Sequence, residues 1–179
     1  MQSGLEKNFF EVFGLPETFD VDLAQLAGLY RELQSQLHPD RHAAAAEAQR
    51  RLSVQMTAHV NEAYQTLKDP LRRGRYLLRL RGVEDSETDT RMDPEFLMEQ
   101  MSLREALDEA RDDSDPAARL EQLAEEVGRA REQRLEQLRA ALADGDADSL
   151  QRALALTREL QFLKKLLDEI EQLEDELLP

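Results

Sequence analysis

The residues best suited to chemistry in this sequence stand in one short run, LHPDR, at positions 37–41. A proline fixes its own φ angle and donates no backbone hydrogen bond, so Pro39 makes this turn stiff. His38 and Asp40 then project from an exposed tip and can present an imidazole and a carboxylate to another protein. A carboxylate can accept two hydrogen bonds from an arginine of that protein. The alternative is that His-Pro-Asp is turn chemistry only, because Pro and Asp are common turn residues.

A metal site made of His38, Asp40 and His42 is a further alternative. Alternate residues share a face in a strand, but not in a helix or around a proline turn. The sequence has three His and no Cys, and His59 is the one other imidazole. Metal binding is therefore disfavoured. No Ser-His-Asp set or carboxylate pair can be assembled from the sequence, so we expect no catalytic residues and no cofactor.

The composition indicates the class of fold that must position the His-Pro-Asp tip. Of 179 residues, 31 are Leu and 21 are Ala, against six Val and one Ile. Leu and Ala are strong helix formers, and β-branched residues favour strands. The sequence therefore predicts an all-α fold and nearly excludes a sheet-based enzyme such as a Rossmann domain or a β-barrel.

The charge divides the chain into two unlike parts. Residues 1–81 carry a net charge of +1, and residues 82–179 carry −16. Such asymmetry suggests two units with different partners. An acidic half does not bind nucleic acid by charge. No run of 18 apolar residues is present, so we expect no membrane span, and in the absence of a targeting segment we expect a cytoplasmic protein.

Helix signals in the first half predict a helical hairpin. A short helix over 8–13 is closed by Gly14, and Asp20 is expected to cap the next helix. That helix carries an apolar stripe at Leu23, Leu26, Tyr30, Leu33 and Leu37, and it ends before Pro39. A third helix runs to about Lys68 with an apolar face at Leu52, Met56, Val60, Ala63 and Leu67. Residues 71–81 read as a further helix with a basic side.

Start and stop signals in the second half predict three long helices. Asp-Pro pairs at 93–94 and 115–116 each give an N-cap followed by proline at the first helical position. Gly145 is a stop and Asp146 a new cap. The expected helices are 94–111, 116–143 and 147–177, a three-helix bundle. Residues 82–93 are polar without apolar periodicity, and we place a connecting segment at 76–93, between units at 1–75 and 94–179.

Helix 94–111 has two apolar strips. Successive helix residues turn by about 100°. Four residues share one side and suffice for a core: Phe96, Leu103, Leu107 and Ala110. Leu97, Met98 and Met101 fall on the opposite side and lead into Glu105 and Glu109. A Leu/Met strip running into carboxylates fits a docking site, since Met suits adaptable contacts. Periodicity alone leaves open the alternative that the first half of this helix is buried on both sides.

Taken in order, these segments resemble a known family. A short aromatic helix ending in FGLP, an amphipathic helix running into LHPDR and a helix reading VNEAYQTLKDPLRRGRYLL resemble a J domain, the module that activates ATPase chaperones of the DnaK class. The later FLMEQMSLREALDE resembles the C-terminal part of one branch, the iron–sulfur J-proteins of the HscB family. The resemblance extends over essentially the whole chain.

The resemblance implies roles for particular residues. His38, Pro39 and Asp40 would stimulate ATP hydrolysis by an HscA-type chaperone of the DnaK class. Many J domains dock through a basic second helix, which here offers Arg31, with Arg41 in the loop. The remaining positions would bind an IscU-type cluster scaffold protein: Leu97, Met98, Met101, Glu105, Glu109 and Phe162.

The sequence also departs from the family pattern. Some relatives carry a carboxylate where Ser102 stands, and an aromatic residue is frequent where His42 stands. The resulting hypothesis is a non-enzymatic co-chaperone that delivers the scaffold to the ATPase and promotes cluster assembly and transfer. The alternatives are a general J-domain co-chaperone for unfolded clients and a helical interaction module without chaperone activity.

Overall fold

The computed structural model describes residues 6–37, 47–83 and 93–177. Within these ranges the chain is all-α and contains no strand. The helices, in chain order, are α1 (Phe9–Phe13), α2 (Leu23–Leu37), α3 (Glu47–Lys68), α4 (Pro70–Leu80), α5 (Pro94–Ala110), α6 (Pro116–Asp144) and α7 (Ala147–Leu177). The chain divides into two compact units, Met1–Leu77 and Leu78–Pro179. Of the predicted connecting segment, residues 84–92 lie outside the described residues.

Helix α1 is short and tightly capped at both ends. The Asn8 side chain accepts a hydrogen bond from the Glu11 backbone N–H, while the Glu11 carboxylate accepts one from the Asn8 N–H. Gly14 closes the helix with a φ of 63°, a left-handed conformation that glycine adopts without strain. The Phe9 ring stacks on Tyr76 with centroids 4.4 Å apart. These contacts fix α1 on the core of the N-terminal unit.

The predicted hairpin of α2 and α3 is present and is held by apolar and polar contacts. Four apolar residues of its interface are buried: Leu26, Val60, Ala63 and Leu67. The Tyr30 and Tyr64 rings stack at 4.1 Å. The Tyr30 hydroxyl donates to Asn61 Oδ1 at 3.0 Å, and Gln34 Nε2 donates to the same oxygen at 2.8 Å. Because buried polar groups need partners, this network favours one register of the two helices.

Two expectations for the start of α2 are wrong. Asp22, not Asp20, caps the helix, because its carboxylate accepts hydrogen bonds from the backbone N–H groups of Ala24 and Gln25. Leu23 lies in the first turn and is 51% exposed, so it does not extend the buried stripe. The stripe begins one turn later at Leu26, which is fully buried.

The basic side chains of α4 are only partly exposed to solvent. The Arg73 side chain is buried, and its guanidinium donates to the Leu67 carbonyl at the end of α3. The same guanidinium lies 5.0 Å from the centroid of the Phe19 ring. Arg73 therefore satisfies a terminal carbonyl of one helix and covers an aromatic ring of the core.

The C-terminal unit is the predicted three-helix arrangement. Asp93 and Asp115 cap α5 and α6, each followed by proline, and Gly145 ends α6 with a φ of 70°. Helices α6 and α7 form the main hairpin, and α5 packs chiefly on α6. One cluster of buried residues joins all three helices: Leu103, Leu107, Ala110, Leu120, Leu123, Val127, Leu163, Leu166, Ile170 and Leu173.

Replacement of Leu163 by Ala should destabilise the C-terminal unit strongly. Leu163 is fully buried in the three-helix cluster, and truncation of such a residue removes apolar burial and leaves a cavity, at a cost of about 2–5 kcal/mol. Urea unfolding followed by circular dichroism measures the change. Leu97→Ala is the matched control, since its exposed side chain should alter stability by no more than about 0.5 kcal/mol. A similar, small loss for both variants would contradict this packing.

Candidate partner-binding site

The His-Pro-Asp run falls outside the described residues, as do Arg41 and His42. The structure describes the two helices that flank it. At the end of α2, the Leu37 carbonyl accepts a hydrogen bond of 3.0 Å from the Ser53 hydroxyl on α3. Arg31 lies on the exposed surface of α2. The sequence-predicted chaperone-binding set is thus represented in the structure by Arg31.

The Leu/Met strip of α5 is exposed. Leu97, Met98 and Met101 are 43%, 65% and 73% exposed, respectively. The opposite side of the helix is buried as predicted, at Phe96, Leu103, Leu107 and Ala110. Burial of α5 on both faces would require low exposure of the strip. The observed exposure instead fits a helix that is buried on one face only. A single helix thus has one buried apolar face and one exposed apolar face.

The carboxylates predicted to extend the strip line a groove together with Phe162. Glu105 and Glu109 are exposed on the next turns of α5. The groove has a volume of about 640 Å³ and is lined by Gln100, Met101, Arg104, Glu105, Asp108, Glu109 and Phe162. The structure therefore brings four of the predicted residues to one place: Met101, Glu105, Glu109 and Phe162. Leu97 and Met98 lie one turn earlier on the same helix.

Phe162 is partly buried, as its position at the edge of the α7 stripe predicts. Its ring meets Phe96 edge-on, with centroids 5.8 Å apart and an interplanar angle of 90°. This T-shaped arrangement is favourable for aromatic pairs. The contact joins the buried face of α5 to the groove, so the ring can contact a ligand in the groove without losing its support.

Arg104 also lines the groove, although no sequence pattern singles it out. Its guanidinium forms an ion pair with Glu169 on α7 and lies 5.7 Å from the centroid of the Phe162 ring. A helical projection could have placed it beside Met101, three residues earlier. Its partners on α7 could not have been predicted, because periodicity carries no information on which side chains of two helices meet.

A second polar cluster lies at the first half of α5. Arg134 on α6 forms ion pairs with Glu99 on α5 and with Glu159 on α7, the latter with Nε 3.1 Å from Oε2. Burial raises the pKa of the Glu159 carboxyl above its ordinary value; Arg134 lowers that pKa, and the charges of Glu99 and Asp93 raise it. The balance shows that desolvation outweighs the ion pair at this carboxylate.

The described residues include no group of three or more His, Cys, Asp or Glu side chains that could hold a metal ion. The alternative of a metal site at His38, Asp40 and His42 lies outside the described residues. Within 6–37, 47–83 and 93–177, no helix is both long and apolar enough to cross a membrane.

Two family models match the chain and agree with this geometry. Residues 8–76 match the DnaJ domain, and residues 92–171 match the HSCB C-terminal oligomerisation domain. The first match covers the helical hairpin and its flanking helices, and the second covers the three-helix unit with the exposed strip. The fold and the site thus define a J-domain protein with an HscB-type C-terminal domain.

Comparison with individual relatives identifies the family within this class. The co-chaperone protein HscB homolog of Shewanella baltica (strain OS195) is 48% identical over 172 residues, which cover 96% of this chain and 99% of the relative. The structure of chaperone HscB from Vibrio cholerae has a TM-score of 0.88 at 44% identity and covers 96% of this chain and 100% of that one. Human co-chaperone protein HscB has a TM-score of 0.86 at 27% identity, covering 96% and 84%. The chain belongs to the HscB co-chaperone family.

The resemblance inferred from the sequence is therefore confirmed, together with the all-α architecture of a J domain joined to a three-helix domain. Membership of this family supports a co-chaperone role in iron–sulfur cluster assembly. The J domain implies a partner chaperone of the DnaK class. Proteins of this class generally act as regulators rather than as enzymes.

The raised pKa of Glu159 predicts a pH-dependent difference between the native protein and a Glu159→Gln variant. The folded state binds the carboxyl proton more tightly than the unfolded state, so stability contributed by this group falls as pH rises through its folded pKa. Glutamine mimics the protonated form. The variant should match the native protein below the ordinary Glu pKa of about 4.3 and become more stable than the native protein toward pH 7. Thermal unfolding across this range measures the difference; a constant difference would contradict the raised pKa.

Proposed function

We propose that this protein stimulates ATP hydrolysis by an HscA-type chaperone and delivers an IscU-type iron–sulfur scaffold protein to it, in the cytoplasm. The single observation that carries the delivery step is the exposed strip of Leu97, Met98 and Met101, on a helix whose opposite face is already buried. A helix anchored on one face does not need a second apolar face for stability. An exposed apolar patch of this kind marks a protein interaction site.

The chemistry of the strip favours a particular type of partner surface. Leu97, Met98 and Met101 offer apolar contact, and the adjoining groove presents the carboxylates of Glu105 and Glu109. The matching partner surface is apolar at its centre and basic on one side. Phe162, held edge-on against Phe96, adds a preorganised ring to the same surface. We propose that residues 94–179 form this scaffold-binding domain and that residues 1–75 form the J domain.

Of the two departures from the family pattern, His42 lies outside the described residues and Ser102 lies beside the exposed strip. Ser102 is an exposed neighbour of Met101 on α5 and adds no negative charge to the strip. The charge complementarity to a basic partner then rests on Glu105 and Glu109. This assignment leaves the apolar contribution of the strip unchanged.

The chaperone-activating role is assigned to His38, Pro39 and Asp40, supported by Arg31 and Arg41. This chain contributes a docking surface that biases the chaperone toward its hydrolysing state, which is a coupling free energy between two sites. The ATPase chemistry belongs to the chaperone, and any cluster is bound to the scaffold. We therefore propose no catalytic residue, resident cofactor or metal in this chain.

Asp40→Asn should abolish stimulation of the chaperone ATPase. The substitution removes the charge that can accept a bidentate hydrogen bond from a partner arginine, with little change in side-chain volume. A steady-state ATPase assay of the cognate chaperone, with and without the scaffold, measures the effect. Helicity and scaffold affinity should be unchanged, which controls for misfolding. Stimulation retained at the native level would refute the assignment to His-Pro-Asp.

Replacement of Leu97, Met98 and Met101 by Ala should weaken scaffold binding. Full burial of an exposed Leu or Met side chain contributes roughly 1.5–3 kcal/mol. The three side chains are 43–73% exposed in the free protein, so their combined loss should raise the dissociation constant by about tenfold or more. Isothermal titration calorimetry with the purified scaffold measures the change.

The matched control for this substitution is Val54→Ala, which removes an apolar side chain that is 64% exposed on α3 and should leave the affinity unchanged. An unchanged dissociation constant for the triple variant would contradict delivery through this strip. Equal affinity for unfolded polypeptides and for the folded scaffold would instead support a general co-chaperone for unfolded clients.

A further inference from the structure

The two halves of α5 are held in different ways. The second half contributes Leu103, Leu107 and Ala110 to the cluster of buried apolar residues that joins the three helices. The first half contributes no residue to that cluster, and Phe96 is its one buried side chain. Yet the first half carries Leu97, Met98 and Met101. The orientation of the exposed strip therefore depends on contacts outside this cluster.

Arg134 supplies such contacts from the neighbouring helix. Its Nη2 donates to the Glu99 carboxylate of α5, and its Nε donates to Glu159 Oε2 of α7 at 3.1 Å. The guanidinium lies 5.5 Å from the centroid of the Phe96 ring. One planar group thus contacts two acidic residues and an aromatic ring at the same time. Its side chain is 17% exposed, so water screens these contacts less than those of a surface pair.

The surroundings of Arg134 explain why a polar contact is needed there. A cleft of about 510 Å³ opens beside it, lined by Asp93, Glu95, Phe96, Glu99, Arg134, Gln137, Arg152, Ala155, Leu156 and Glu159. Seven of its ten lining residues are polar or charged, so on this side the first half of α5 meets α6 and α7 largely through polar side chains. Without Arg134, the carboxylates of Glu99 and Glu159 would face each other without their shared cation.

We infer that Arg134 is a positioning residue for partner binding: through Glu99, Glu159 and Phe96 it fixes the first half of α5 so that Leu97, Met98 and Met101 point outward together. The inference rests on the proposed role of that strip in docking. Arg134 does not itself form part of the exposed strip. Its effect on affinity comes from keeping the strip in its binding orientation before the partner arrives.

The first test needs no partner. Hydrogen exchange of the full chain should show faster exchange in the first half of α5 for Arg134→Met, with the second half of α5 and the buried parts of α6 and α7 nearly unchanged. Glu99→Ala, which breaks only the contact to α5 and keeps the Arg134–Glu159 pair, should reproduce the effect if Arg134→Met fails to fold. Unchanged exchange in a folded variant, or faster exchange spread evenly over all three helices, would overturn the inference.

The second test measures affinity for the scaffold protein. Arg134→Met should weaken binding by roughly twofold to thirtyfold, the range expected for a coupling of about 0.5–2 kcal/mol. Arg134→Lys should restore part of the loss because it keeps one charged donor. Arg129→Met is the matched control, since Arg129 is an exposed residue of α6 that pairs with Glu125 within the same helix.

Val127→Ala separates positioning from stability. Val127 is fully buried, so the variant should lower thermal stability and leave the affinity unchanged. If Val127→Ala weakens binding as much as Arg134→Met does, the role of Arg134 is merely structural and the inference fails. If replacement of Leu97, Met98 and Met101 by Ala leaves the affinity unchanged, the docking proposal fails, while the exchange experiment still decides whether Arg134 orders α5.

Discussion

The exposed strip depends on one constraint, which is that α5 buries only one of its faces. The buried face consists of Phe96, Leu103, Leu107 and Ala110. The opposite side of the helix does not contribute to the core. The free energy that holds the helix comes from the buried side and from ion pairs at its flanks. The apolar residues on the outer side are therefore available to contact a partner without loss of fold stability.

In the N-terminal unit, the contacts between α2 and α3 set the register of one helix against the other. The α2–α3 hairpin is fixed in register by the stacked Tyr30 and Tyr64 rings and by the polar contacts to Asn61. At the end of α2, the Ser53 hydroxyl satisfies the Leu37 carbonyl. The last residue of α2 is thus tied to α3 by a side-chain hydrogen bond.

Much of the fold could be predicted because it is specified by local signals. The Asp-Pro pairs and Gly145 set the ends of α5 and α6 within one residue, and the spacing of apolar residues separated the two faces of α5. The misplaced cap at Asp20 arose because Asp22 is an equally good capping residue two positions later. Arg73, Arg104 and Arg134 could not be assigned, because their contacts join residues of different helices, and no local pattern specifies such pairs.

The connectivity of the two hairpins has a kinetic consequence. In each unit the principal packing, α2 on α3 and α6 on α7, joins helices that follow one another along the chain. When most contacts are close in sequence, little loop entropy is lost before they form, and such helical domains fold in roughly microseconds to milliseconds. A chain of this design spends little time with apolar surface uncovered, so we expect it to reach its working structure without help from the chaperone machinery that it serves.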